Sequence, residues 1–438
     1  MKVLIVGGGA REHAVSKALK KNPDVKLYSV MKNRNPGIMR LCEEVSHHDE
    51  LDTTRTAEFA AKMGVDFAFV GPEAPLAAGC ADVLENAGIP CIGPKAVLAR
   101  IESDKEFMRG LLDKYNIPCN LRHKTFDSVS EASSYLDSVG CDVAVKPVGL
   151  TGGKGVKVMG EQLSNVDDAK AYVREVIEGG IGGGKVIIEE KAVGEEFTLM
   201  AFVDGENIAL MPAVQDHKRA FVGDTGHNTG GMGSYSDSNH LLPFLSESVV
   251  EEAGRVIKET VRALKKETGE KYKGILYGQF MLGRDLKVIE FNCRFGDPEA
   301  MNVLSILESD LAGVCQDIVR GRLGDVKFSG QATVCKYIVP EGYGVKSTAG
   351  QRLTIDEEKI KSLGAVLYYA AVNEEAGEIF TTSSRSVGVI GIADTISEAE
   401  RICEEAVESV RGEHIYHRRD IGTSGLIEKK LDGLKGLR

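Results

Sequence analysis

The chain has 438 residues, 42% hydrophobic and 27% charged, an ordinary globular composition with length for roughly three domains. A net charge of −11, with Lys and Arg gathered only in short groups such as Lys429-Lys430, argues against a nucleic-acid surface. Nine scattered cysteines without C-x-x-C argue against a disulfide framework or zinc site and fit a reducing cytoplasm, and no apolar run has the length of a signal peptide or a membrane span.

Lys2 to Val6 reads as a buried strand, Gly7-Gly8-Gly9 as a turn, and Arg11 to Lys21 as a helix with apolar residues at Ala14, Val15, Ala18 and Leu19. This β-α-β opening offers either a phosphate site at a helix N-terminus or a purely structural glycine turn. Two details oppose NAD. Glu12 stands at the third glycine of G-x-G-x-x-G, and the strand Val25 to Val30 ends at Lys32 and Arg34 rather than at an acid for a ribose hydroxyl, which suits a sugar phosphate. His47-His48-Asp49 lacks further ligands at metal spacing and reads as a solvated loop. After the strand Val65 to Val70, Gly71-Pro72-Glu73-Ala74-Pro75-Leu76 leaves Glu73 at the carboxyl edge of the sheet, within reach of ribose hydroxyls or an amine.

Ser103 or Asp104 caps a helix through Tyr115, and Lys105 near its start is either a ligand residue or a solvated surface lysine. A compact segment follows: a helix around Ser130 to Val139, strands Val143 to Lys146 and Val156 to Met159, a helix Asp167 to Glu178, and a strand Val186 to Glu190. The loop Gly149 to Gly155 is not a Walker A loop; it either lays amides over phosphates, with Lys154 adding charge, or is a hairpin turn. Lys146 ends an apolar strand and there needs an anionic partner. The polar, glycine-rich loop from Gln215 to Gly233 has a length that is uncommon without a function. Ser246 to Thr268 is a long amphipathic helix ended by Gly269, Asp310 to Arg320 is another, and the remainder mixes short strands with one helix, Ile396 to Val410.

The densest chemistry lies in Val288 to Glu299. Strand alternation places Glu290, Asn292 and Arg294 on one face, an oxygen-rich surface suited to a hard cation beside phosphates, with Asp297 and Glu299 in the turn beyond. If Arg284-Asp285 forms the hairpin turn, Gln279 pairs across from Glu290, where it either contributes an oxygen to the cation or makes a cross-strand hydrogen bond.

Five motifs in order, Gly7-Gly8-Gly9-Ala10-Arg11-Glu12-His13, Gly71 to Leu76, Gln215-Asp216-His217-Lys218-Arg219, Gly223 to Gly233, and Arg294 to Glu299, give a chain that resembles the phosphoribosylamine-glycine ligases (glycinamide ribonucleotide synthetases) of the ATP-grasp superfamily over nearly its whole length. Departures stand at Ala10, Lys191, Pro147-Val148 and His227. The resemblance implies a multi-domain α/β fold: an N-terminal α/β domain over 1–102, an ATP-grasp core over 103–120 and 186–325, a lid over 121–185, and a C-terminal α/β domain over 326–438. It implies ligation of glycine to 5-phosphoribosylamine with ATP through glycyl phosphate, the runners-up being another carboxylate-amine ligase of the superfamily and a non-catalytic nucleotide sensor. By the same resemblance Lys105, Lys146, Gly152, Gly153, Lys154, Gly155, Glu189, Lys191, Ala192 and Glu196 serve ATP, and Gly9, Arg11, Glu12 and Glu73 the ribosylamine. Asp216, Lys218, Arg294 and Asp297 surround glycine and the transferring phosphate, with Arg294, Asp297 and Lys218 as the catalytic set, and Gln279, Glu290 and Asn292 hold Mg2+ or Mn2+. The partners expected are these small molecules, for a cytoplasmic monomer or weak homo-oligomer without nucleic acid or membrane.

Overall fold

Apolar runs that bury both faces of a strand favour parallel pairing, and the N-terminal strands follow that rule apart from the polar, partly exposed edge strand Cys42–Ser46. They order Cys42–Ser46, Lys26–Val30, Lys2–Val6, Phe67–Val70, Cys91–Ile92, all parallel, in a computed structural model that describes residues 1–140, 142–151 and 155–437. The order of addition reverses between Lys2–Val6 and Phe67–Val70, so the loops at Gly7 and Gly71 leave the carboxyl edge side by side, the place where open α/β sheets collect ligands.

A second sheet, ordered His123–Phe126, Val186–Glu190, Val143–Pro147, Lys157–Val158, packs with helices Val129–Val139 and Val166–Glu178. Its core, including Leu136, Val145, Tyr172, Val173 and Ile188, is separate from the core that joins the rest of the chain. The lid boundary expected at residue 185 therefore moves. Val186–Glu190 is hydrogen-bonded along both edges within this sheet, so it cannot belong to the neighbouring one. Gly152, Gly153 and Lys154, expected over phosphates, lie outside the described residues.

The third sheet is antiparallel, ordered Ile208–Leu210, Glu195–Val203, Gly274–Leu282, Leu286–Asn292, and is backed by the helix Glu247–Thr268 through buried Val256, Ile257, Val261 and Leu264. The spine of the C-terminal sheet is Ala332–Pro340, which pairs with Val387–Ala393 on one side and Gly233–Ser236 on the other. Gly233–Ser236 in turn pairs with Gln215–Asp216. Two strands from the stretch expected in the grasp core thus belong to the C-terminal sheet, because their free edge finds its partner there. Helices Glu357–Ser362 and Ser424–Lys435 stand where the sequence reading has only short strands. Among the described residues no helix is long and apolar enough to cross a membrane, and no cysteine is in a disulfide.

Candidate active site

At the N-terminal corner the glycines enclose a carboxylate. The Gly9 amide donates to Glu12 Oε2 at 2.8 Å, and Arg11 Nε pairs with Glu12 Oε1 at 2.6 Å. A Cβ at Gly71 would fall 2.0 Å from Glu12 Oε1, which is why the second loop also needs glycine. The triple glycine therefore has a structural reason in this chain: Gly7 and Gly9, with Gly71, let two loops close on Glu12, and Gly8 makes room for Asn33. Lys32 faces Asp49 at the surface, and His48 is satisfied by Ser46 and Thr56 hydroxyls rather than aimed at a metal.

Arg294 carries this corner to the hairpin. It meets Glu73 at 3.3 Å and Glu102 at 2.9 Å, and donates to Asn292 Oδ1 at 3.1 Å. Although burial raises a carboxyl's pKa, Arg294 and Arg11 together bring Glu73 down to about 2.

Gln279 does pair with Glu290, by a route other than the expected one. Leu282 faces Leu286, so the turn holds three residues, Gly283 to Asp285, and a bulge that leaves Ile289 unpaired restores the register one step later. Arg109 stabilises that bulge by donating to the carbonyls of Val288 and Ile289 at 2.9 and 2.8 Å. Gln279 is fully buried and does not make the cross-strand hydrogen bond to Glu290: its amide donates to Glu196 Oε2 at 2.7 Å, and Tyr277 Oη donates to its oxygen. Tyr277 also reaches Glu299, which accepts from Thr198 as well.

Glu290 accepts no hydrogen bond from any described side chain. Burial opposes its ionisation, but Lys218, Lys146, Lys105 and Arg294 keep its pKa below the usual carboxylate value. An ionised carboxylate that accepts from no described side chain, on the strand face that carries Asn292 and across from Gln279, has lone pairs free for a divalent cation that takes most ligands from phosphate and water.

The lysines face this surface. Lys146 pairs with fully buried Glu189 at 2.6 Å, and Arg109 grips the same carboxylate at 2.8 Å. Burial raises a carboxyl's pKa, yet the two cations hold Glu189 at about 2. The anionic partner that a buried Lys146 requires is thus inside the protein. Lys105 reaches the Gly149 carbonyl at 3.3 Å, and burial lowers its pKa. Gly155 accepts from Tyr172 Oη at 2.7 Å, Lys191 donates to the Met159 carbonyl at 2.7 Å, and Ala192 follows it at half exposure.

Lys218 bridges to Glu196 at 2.9 Å; burial opposes its charge, and Glu196, Asp216 and Glu290 more than restore it. Asp216 is pushed up to about 7 by burial, helped by Glu299, Glu196 and Glu290, against the pull of Lys218. Asp297 is held by Arg385 and Tyr337. Sequence reasoning missed Arg109, Glu102, Arg385, Tyr337 and Tyr277. Arg109 alone carried a signal, a charge beside Met108, Leu111 and Leu112 on the apolar face of a helix.

A four-stranded lid sheet set before an antiparallel sheet whose hairpin bears acid and amide side chains, with Lys105, Lys146 and Lys218 acting on Glu290, is the arrangement of the ATP-grasp class. The biotin carboxylase domain of Hydrogenobacter thermophilus 2-oxoglutarate carboxylase has the same fold, with a TM-score of 0.73 at 16% identity, over 99% of this chain and 93% of that one. The chain belongs to the phosphoribosylglycinamide synthetase family, matching its N domain over 1–102, its ATP-grasp (A) domain over 103–300 and its C domain over 333–424. It is 54% identical to the phosphoribosylamine–glycine ligase of Methanocaldococcus jannaschii and 52% identical to that of Methanothermobacter thermautotrophicus, each over the full length of both chains. A crystal structure of the Thermotoga maritima phosphoribosylamine–glycine ligase superposes with a TM-score of 0.81 at 26% identity, covering 96% of this chain and 100% of that one.

Proposed function

We propose that the chain joins glycine to 5-phosphoribosylamine with ATP, giving glycinamide ribonucleotide, ADP and phosphate in purine biosynthesis. The observation that supports this reading is the linkage of all five sequence motifs: Glu12 pairs with Arg11, Arg11 lies 4.0 Å from Glu73, Glu73 pairs with Arg294, Thr229 donates to the Lys218 carbonyl, and Arg385 ties Gly230 to Asp297. A carboxylate is a poor acyl donor until phosphorylated. The γ-phosphoryl group moves to the glycine carboxylate, ADP leaves, the amine nitrogen attacks the acyl carbon, and the carbon–oxygen bond to phosphate breaks.

In this reading Arg294 and Lys218 stabilise the transferring phosphoryl charge, and Asp216 and Asp297 face glycine. Asp216, near neutrality, is suited to take the proton that the amine loses. Gly9, Arg11, Glu12 and Glu73 hold the ribosylamine; Lys105, Lys146, the 152–155 loop, Glu189, Lys191, Ala192 and Glu196 hold ATP. Mg2+ or Mn2+, held by Glu290, Asn292 and the oxygen of Gln279, would offset the charge of the phosphates when bound. The domain partition proposed is 1–102, 103–120 with 191–325, a lid over 121–190, and 326–438, with residues 215–236 lending strands to the last.

ADP release, measured with Mg2+, glycine and fresh phosphoribosylamine omitted in turn, tests the reaction. Release should require both substrates. Equal turnover with bicarbonate or formate in place of glycine would replace it with another ligase of the superfamily, and ATP binding without turnover would leave a nucleotide sensor.

A further inference from the structure

Asp297 ends the segment that carries Arg294, and both of its carboxylate oxygens are held by the C-terminal sheet. Tyr337 Oη donates to Oδ1, and Arg385 Nη2 donates to Oδ2 at 3.1 Å. Arg385 Nη1 donates to the Asp297 carbonyl at 2.6 Å and to the Gly230 carbonyl at 2.6 Å, so one guanidinium ties the acid to the glycine-rich loop. The guanidinium lies 4.7 Å from the centre of the Tyr337 ring. Tyr337 lies on the spine strand, and Arg385 stands two residues before the neighbouring strand Val387–Ala393, whose Gly388 pairs with Tyr337. Arg385 and Asp297 are each only 15% exposed, too enclosed for a surface pair.

We propose that Arg385 and Tyr337 are positioning residues of the ligation, acting through Asp297, so that the C-terminal sheet is part of the active site. The inference rests on the functional reading above, in which Asp297 faces glycine and the transferring phosphate. Asp at a loop end has two free side-chain torsions, and a donor on each oxygen fixes the plane of its carboxylate. A reacting group misplaced by an ångström loses rate without losing substrate affinity. A planar fork that also spans two carbonyls is work for Arg and not for Lys.

The test is ADP release by the full-length protein with glycine, phosphoribosylamine and MgATP. Arg385→Gln should lower kcat about 100-fold and leave the KM for ATP unchanged, and Arg385→Lys should be no better. Tyr337→Phe, which keeps the ring and its packing, should lower kcat about tenfold. In an Asp297→Asn background, itself down about 100-fold, either change should cost less than about threefold, because the group through which they act is already gone. Methylguanidinium should restore part of kcat to Arg385→Ala and none to Arg385→Ala/Asp297→Asn. Full additivity with Asp297→Asn, or an unchanged kcat in Tyr337→Phe, overturns the inference. Tyr337→Phe decides the matter should the arginine variants fail to fold. A wild-type protein without turnover on these substrates overturns the functional reading first and this inference with it.

Discussion

The lid and the C-terminal sheet both contribute to the candidate site, and they are attached in opposite ways. The lid buries its apolar residues in a core of its own and reaches its neighbours through polar contacts: Lys105 to Gly149, Lys191 to Met159, Lys185 to Glu106, Arg219 to Glu161. The C-terminal sheet shares the main core and takes in the strands Gln215–Asp216 and Gly233–Ser236. The lid's one fully buried ion pair to its neighbours among the described residues is Arg109 to Glu189, at its base; swinging the lid about that pair exchanges only the outer hydrogen bonds for water, whereas moving the C-terminal sheet would break ladders and expose apolar surface. The molecule therefore joins a separately packed lid to a C-terminal sheet that is continuous with the main core.

The strongest way to break that contrast is Arg418→Gln. Arg418 is fully buried, joins Asp224 and Asp420 at 2.7 Å each, and donates to the Arg219 carbonyl at 3.0 Å, pinning the loop that holds Asp216 and Lys218. Removing it leaves two carboxylates facing each other in a partly closed site. Global stability by denaturant titration should fall by roughly 3–5 kcal/mol, with loss of turnover. A fall under about 1 kcal/mol, the range of surface pairs, would show that the C-terminal anchoring is loose.

Ile188→Ala attacks the other side. Ile188 is 1% exposed in the lid core, and its truncation should cost roughly 2–4 kcal/mol. If the lid is a separate cooperative unit, calorimetry should show a lid transition moving down while the main one stays, and amide exchange over 143–147 should quicken in the variant and slow with an ATP analogue. One transition shifting as a whole would mean that the two cores unfold together.

The sequence made the fixed scaffold more legible than its joints. Periodicity located the first strand, the 247–268 helix and the hairpin because burial of a face leaves a mark in spacing. The sharing of strands between sheets left none: Gly233–Ser236 is chosen by Thr333–Lys336, a hundred residues away. Gln279 against Glu290 came out correctly although the assumed two-residue turn is absent, since the extra turn residue and the bulge cancel. Arg385 and Tyr337 were invisible because a single Arg or Tyr in a strand-rich stretch carries no local pattern, and Lys146 was legible as needing an anion but not as having one in Glu189.

A smaller effect is expected from Asp216→Asn. In the folded chain Asp216 keeps its proton up to about pH 7, against an ordinary value of 3.8. Its stability contribution is complete below pH 3.8 and is lost as pH rises through 7, since the unfolded chain gives up the proton more readily. The thermal midpoint of the variant relative to wild type should therefore climb by a few degrees between pH 4 and pH 7 and level off above. A constant difference would place Asp216 in water, outside the fixed cluster with Glu196, Glu290 and Lys218.

The finest test is Gln279→Glu. The hairpin belongs to the main core, so cation affinity should depend on its residues and not on the lid. Gln279 is held at both ends, by Glu196 and by Tyr277, which leaves Glu290 as the one carboxylate of the proposed set. Glutamate there loses the donor to Glu196 and sets two carboxylates together. Without a cation that repulsion should lower stability, and with Mn2+ bound it becomes attraction. We expect Mn2+ affinity, read by paramagnetic relaxation without nucleotide, to tighten about tenfold, or about 1.4 kcal/mol, while Ile188→Ala leaves it unchanged. Unchanged or weaker binding in Gln279→Glu would reduce Gln279 to a hydrogen-bond tie between Glu196 and Tyr277. Weakening in Ile188→Ala would show that the lid helps to build the cation site.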